Sequence, residues 1–287
     1  MSQKQIKYYD TSLRMSRQPQ LTIDESCRPM VISFSRFITL YAAKDKKNKM
    51  KKLLWALIPL FAAVSLGAFP CAPAPKELAG TRIILDPGCG GADWGTVRES
   101  LGLKAKDINL DVALRVRELL GKAGAAVAMT RNMDANMSAA DRYEFANEYI
   151  FKDGKRADAF VSIHTNSLAD AKTDGTTTYY ATEDGGRLAM AMHPVVYQAL
   201  KDIAPVPPEQ FTDFGAKQTD QELLRKMEFP SVMVYSICLS HPEEAISLVE
   251  PIYKGDDDET VCDGCRREQV AQAIYKGLLS YFTSIPK

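Results

Sequence analysis

The sequence carries no second Cys-x-x-Cys pair, no internal repeat and no overall excess of charge of either sign. The missing second pair excludes a zinc ribbon, whose ion needs two such pairs around it. The missing repeat excludes solenoids and propellers. The charge balance is a sum of two unlike parts. Residues 1–52 hold 12 Lys/Arg against 4 Asp/Glu (+8), so residues 53–287 hold 24 against 32 (−8). An acidic body excludes nucleic acid as the main partner, because phosphate binding needs a basic face. Charged residues make up 25% of the 287 and apolar residues 46%. That is neither a disordered nor a fibrous composition, and it suffices for a sizeable core.

One long apolar run is present, Leu53 to Phe69, broken by Pro59, Ser65 and Gly67. Lys44, Lys46, Lys47, Lys49, Lys51 and Lys52 precede it, and Pro70, Pro73 and Pro75 follow. A basic flank before an apolar stretch reads as an export signal. A buried core helix fits less well, because the basic flank is on the side an export signal requires. The expected organisation is a disordered or mis-started extension over residues 1–49 and a signal peptide or membrane anchor over 50–70. A linker over 71–79 and one domain over 80–283 complete it. The positive-inside rule then places the domain outside the cytoplasm, in the periplasm or cell envelope of a bacterium, with an N-terminal membrane contact if the signal stays uncut. Phe69-Pro70 before Cys71 is a poor match to a lipid-attachment signal.

Export favours disulfides. Cys262 and Cys265 are expected to form a local one ahead of the last helix, and Cys89 is either a small filler or half of a disulfide with Cys238.

Strands are expected at 82–85, 125–130, 159–163, 176–181 and 231–237. Helices are expected at 107–123, 138–149, 186–203 and 266–282, the second opened by a Ser138/Asp141 capping box. The alternation predicts an α/β fold: a mostly parallel twisted sheet of about five to six strands with helices on both faces. A site in such a sheet lies beyond the carboxyl ends of its strands. The turn Gly88-Cys89-Gly90-Gly91, His164 and Tyr235 should meet there.

The segments Ile84-Leu85-Asp86-Pro87-Gly88-Cys89-Gly90-Gly91, Lys106-Asp107-Ile108-Asn109-Leu110, Thr130-Arg131, Arg142 with Ala146-Asn147, and Phe160-Val161-Ser162-Ile163-His164-Thr165-Asn166 occur in an ordered series. With Phe229-Pro230-Ser231-Val232-Met233-Val234 and the closing helix, the series resembles the zinc-dependent N-acetylmuramoyl-L-alanine amidases, type 3, over about Gly80 to Phe282. The resemblance implies a peptidoglycan or muropeptide partner. It also implies one zinc held by two His and a Glu, with a second Glu as general base.

Three of the four implied positions are substituted. Cys89 stands for the first metal His, Ala105 for the metal Glu and Tyr235 for the catalytic Glu, while His164 is retained. Three readings follow. One is a member that binds wall material and has lost, or largely lost, zinc chemistry. Another is an active amidase with an unusual shell of Cys89, His164 and a carboxylate such as Glu99 or Asp107. The last is a thiol amidase built on Cys89 and His164. Asp86 is expected to brace the turn, Arg131 and Arg142 to be buried ion-pair partners, His193 and His241 to be surface or helix-end residues, and Asp256–Glu259 to be a solvated turn.

Overall fold

In the computed structural model, which describes residues 76–249 and 265–284, Ile83, Ile84 and Leu85 are wholly buried. A strand apolar on both sides must be covered on both sides. The chain divides into two units, residues 1–74 and 75–287, and every described residue belongs to the second. The basic cluster, the run Leu53–Phe69, Cys71, the acidic run Asp256–Glu259 and Cys262 lie outside the described residues. Among the described residues no helix is long and apolar enough to cross a membrane.

In chain order the elements are β1 (Arg82–Pro87), β2 (Val97–Arg98), β3 (Leu103–Lys104), α1 (Ala105–Lys122), β4 (Ala126–Met129), α2 (Ala139–Glu148), β5 (Ala159–Asn166), β6 (Asp174–Tyr180), α3 (Glu183–Lys201), β7 (Phe211–Gln218), α4 (Glu222–Arg225), β8 (Ser231–Cys238), α5 (Pro242–Ser247) and α6 (Arg266–Ser284). A six-stranded sheet runs β4-β1-β5-β8-β6-β7, and β2 with β3 forms a separate hairpin. β4, β1, β5 and β8 are mutually parallel. β6 is antiparallel to β8, and β7 is parallel to β6. The mostly parallel α/β sheet read from the sequence is therefore the observed fold, with two strands reversed. The link from β5 to β6 covers only residues 167–173 and holds no helix, too short for the crossover that parallel strands need.

Alternation along the strands sorts the core. Ile83, Leu85, Val161, Ile163, Val232 and Val234 face α1, α3 and α6. Ile84, Phe160 and Met233 face α2 and α4. Ser138 opens α2 with the expected capping box, its hydroxyl accepting from the Asp141 N–H while the Asp141 carboxylate accepts from Ser138. Two steps further along the α2 face the residues turn polar: Asp86 on β1, Ser162 and His164 on β5, Tyr235 on β8. The register sets Asp86 beside Ser162 and His164 beside Tyr235. The polar row closes the apolar layer at the carboxyl ends of three adjacent parallel strands.

Candidate functional site

β1 runs out into the Gly88–Gly91 turn, in which Cys89 takes φ 60°. Few residues other than glycine adopt this left-handed region, so surrounding contacts must enforce it. Here the contacts are donors aimed at the turn's carbonyls. Arg131 donates to the carbonyls of Pro87, Gly88 and Lys106, each at 2.9 Å. Arg142 donates to those of Pro87 at 2.9 Å and Cys89 at 2.8 Å. Asn109 donates to Gly88 O at 3.3 Å and accepts from the Thr165 N–H at 2.8 Å, tying α1 to β5. Lys106 Nζ spans Gly91 O and the Asp134 carboxylate.

Arg142 is the buried ion-pair partner the sequence suggested, bound to Asp86. Arg131 is buried, but it bonds to backbone carbonyls and makes no ion pair among the described residues. Asp86 does brace the turn. Its Oδ1 accepts from Arg142 and, at 2.6 Å, from the Thr130 hydroxyl.

The other Asp86 oxygen accepts from Ser162 Oγ at 2.6 Å, and Ser162 Oγ lies 3.0 Å from His164 Nε2. The sequence reading missed Ser162. The signal was available: strand alternation places residues 162 and 164 on one face, and pairing of β1 with β5 sets Asp86 opposite.

His164 is half-buried. Tyr235 stacks on its ring with centroids 5.0 Å apart and planes 24° apart, and Tyr179 meets Tyr235 edge-on at 5.6 Å. A methyl group on Gly88 would lie 2.2 Å from His164 Cε1, so only glycine leaves the ring this position. Burial pulls the imidazole down to about 4, which makes it neutral at pH 7. Burial likewise raises the Tyr235 phenol above its ordinary value, with Tyr179 and Cys89 adding to the effect. Burial first, and the Asp93 carboxylate second, push the Cys89 thiol up to about 11.

A Cβ on Gly95 would lie 2.7 Å from Cys89 Sγ and 2.8 Å from the Ala105 methyl, so this glycine's bare face packs against both side chains. Cys89 and Ala105 therefore adjoin through Gly95, while His164 stacks on Tyr235 and lies against Gly88, the residue before Cys89. Glu99 is exposed in a short 3-10 turn, and Asp107 is half-buried in the first turn of α1. Among the described residues no three His, Cys, Asp or Glu lie close enough to hold a metal ion. Neither Glu99 nor Asp107 therefore completes a shell with Cys89 and His164. The turn of Glu99 has no buried residue, and on α1 the buried position beside Asp107 belongs to Ile108.

Two further expectations need correction, the Cys89–Cys238 disulfide and the placing of His193. Cys89 and Cys238 are both free, so the disulfide between them is absent. Cys238 is buried at the far end of β8, where its N–H binds Asp174. His193 lies buried within α3, held between the Thr178 hydroxyl and Asp213. His241 does stand at a helix end, as the N-cap of α5, but it is buried too. Cys265 is disulfide-bonded.

A protonated thiol is a slow nucleophile. With Cys89 at about 11, roughly one molecule in ten thousand is thiolate at pH 7. Iodoacetamide should barely label Cys89 at pH 7 and label it steeply faster above pH 10, read by peptide mass spectrometry. Rapid labelling at pH 7 would contradict this environment.

The family model described as N-acetylmuramoyl-L-alanine amidase matches residues 83–280, nearly all of the sheet and its helices. The chain belongs to this family. A probable cell wall amidase, LytH, of Staphylococcus epidermidis is 30% identical over 213 residues, covering 73% of this chain and 61% of its own length. The chain thus spans about six tenths of that curated relative. A germination-specific N-acetylmuramoyl-L-alanine amidase of Bacillus subtilis is 29% identical, with 74% of this chain and 84% of the relative covered. Among solved structures, the amidase AmiC2 of Nostoc punctiforme shares 28% identity at a TM-score of 0.55, covering 71% of this chain and 99% of its own. The CwlD amidase from Clostridioides difficile, solved in complex with the GerS lipoprotein, shares 27% at a TM-score of 0.56, covering 71% and 100%.

Proposed function

We propose that this protein is exported to the cell envelope and binds muropeptide in the pocket of Cys89, Ala105, His164 and Tyr235, its zinc-dependent amide hydrolysis lost or much weakened. The carrying observation is the donor set. A catalytic zinc takes three protein ligands. Cys89 and His164 offer two, the Ala105 methyl offers none, and although the Asp93 carboxylate lies beside the Cys89 thiol, no three His, Cys, Asp or Glu among the described residues are grouped so as to hold an ion. These residues do not fit a catalytic zinc ion.

General-base work fails for a separate reason. Tyr235 is a neutral phenol at pH 7, its proton held more tightly than usual by burial. Absence of a general base alone removes roughly 10²–10⁴ in rate. A thiol mechanism fares no better. Attack would need a thiolate beside a proton-accepting imidazole, and burial works against charge on both Cys89 and His164.

What the pocket retains is uncharged polarity: an imidazole, a phenol and a thiol over a rigid carbonyl-clamped turn. Such groups can recognise an amide-linked sugar peptide by hydrogen bonds without cleaving it. The envelope location is supported by the basic-apolar N-terminal pattern and by relatives named cell wall amidases.

The purified full chain should be retained on insoluble peptidoglycan, carry no stoichiometric zinc, and release no stem peptide. Stoichiometric zinc together with muropeptide cleavage that a chelator abolishes would sink the proposal.

A further inference from the structure

We infer that Asp86, acting through Ser162, is a positioning device that holds His164 as the Nε2–H tautomer and leaves Nδ1 as the imidazole's only acceptor. The donor arithmetic forces this. Asp86 is ion-paired with Arg142, so its carboxylate accepts and has no proton to give. The 2.6 Å contact from Ser162 Oγ to Asp86 Oδ2 therefore takes the hydroxyl proton. Ser162 has no second proton, so its 3.0 Å contact with His164 Nε2 must use a proton on the imidazole. A neutral ring carries one N–H, which leaves Nδ1 bare. Nδ1 takes no hydrogen bond among the described residues and is not sealed from solvent. Stacking by Tyr235 and the close approach of Gly88 prevent the ring from turning to exchange the two nitrogens.

Under the proposed function, on which this consequence rests, Nδ1 receives an N–H from a ligand amide. An anionic group presented to the same atom would find no donor.

The test is nitrogen-resolved NMR on the full chain labelled with ¹⁵N-histidine. Only three histidines are present, so His193→Gln and His241→Gln variants assign the signals. The wild type should show a protonated Nε2 and an unprotonated Nδ1 at pH 7. Ser162→Ala should give a mixture of tautomers, and Ser162→Thr, which keeps the hydroxyl, should restore the single form. A protonated Nδ1 in the wild type would overturn the inference, as would an unchanged pattern in Ser162→Ala. If Ser162→Ala does not fold, the wild-type spectrum still decides. Titration with a muropeptide should shift Nδ1. A fixed tautomer with no shift would count against muropeptide binding while leaving the positioning role intact.

Discussion

A chain carrying Cys89→His, Ala105→Glu and Tyr235→Glu together is expected to take up one zinc and cleave cell-wall amides, where the native chain is expected to do neither. Each replacement suits its position. Histidine is among the residues enriched at positive φ, so it tolerates the 60° of position 89 better than most. Position 105 is the first residue of α1, where a carboxylate gains about 0.3–1 kcal/mol from the helix dipole. It also adjoins residue 89 across the side-chain-free Gly95. Glu at 235 forfeits the ring stacking on His164, worth about 0.5–1.5 kcal/mol, and supplies a base.

The double variant without Tyr235→Glu should bind zinc yet lag the triple by roughly 10²–10⁴ in rate, the worth of a general base. Metal analysis and dye-release assays on purified walls read the two effects apart. If the triple variant binds no zinc, the pocket walls have shifted, and substitution of the donors is not the whole explanation.

Much of this pocket could be read from the chain, and the reasons are local. The runs Arg82–Leu85, Ala159–Ile163 and Ser231–Ile237 are apolar on both faces, and their strand character follows from composition alone. β7 escaped because Phe211–Gln218 is an edge strand of Thr, Asp, Lys and Gln around Gly215, with only Phe211 fully buried. The reversal of β6 was hidden because direction depends on a connection, and Thr-rich strands read the same both ways. At the site, Cys89, Ala105, His164 and Tyr235 are marked by their places in the family-like series. Their chemistry is not. The neutral states of Cys89 and His164 come from burial, which Asp93 reinforces at Cys89 and opposes at His164, and no spacing encodes either effect. His193 reads as a surface residue because its partners, Thr178 and Asp213, stand on β6 and β7, the strands that flank α3 in the chain, and only the folding of α3 onto them brings the three together.

Replacing Arg142 by Met should destabilise the domain more than the equivalent change at any other arginine of the turn. Arg142 is buried against Asp86, and removing one partner of a buried pair strands the other charge, at about 3–5 kcal/mol. For a domain of this size that lowers Tm by about 10 °C. Thr130 and Ser162 would still donate to Asp86, but two hydroxyls cannot neutralise it. Arg131→Met, by contrast, removes donors from backbone carbonyls, which tolerate under-satisfaction better than a carboxylate does. Its cost should fall near 1–3 kcal/mol. The exposed pair of Arg156 with Glu228 gives the lower bound, since Arg156→Met should cost about 0–1 kcal/mol. Denaturant melts of the three variants test the order. Equal losses at 131 and 142 would mean that the carbonyl clamp, and not the charge on Asp86, holds the turn in its left-handed shape.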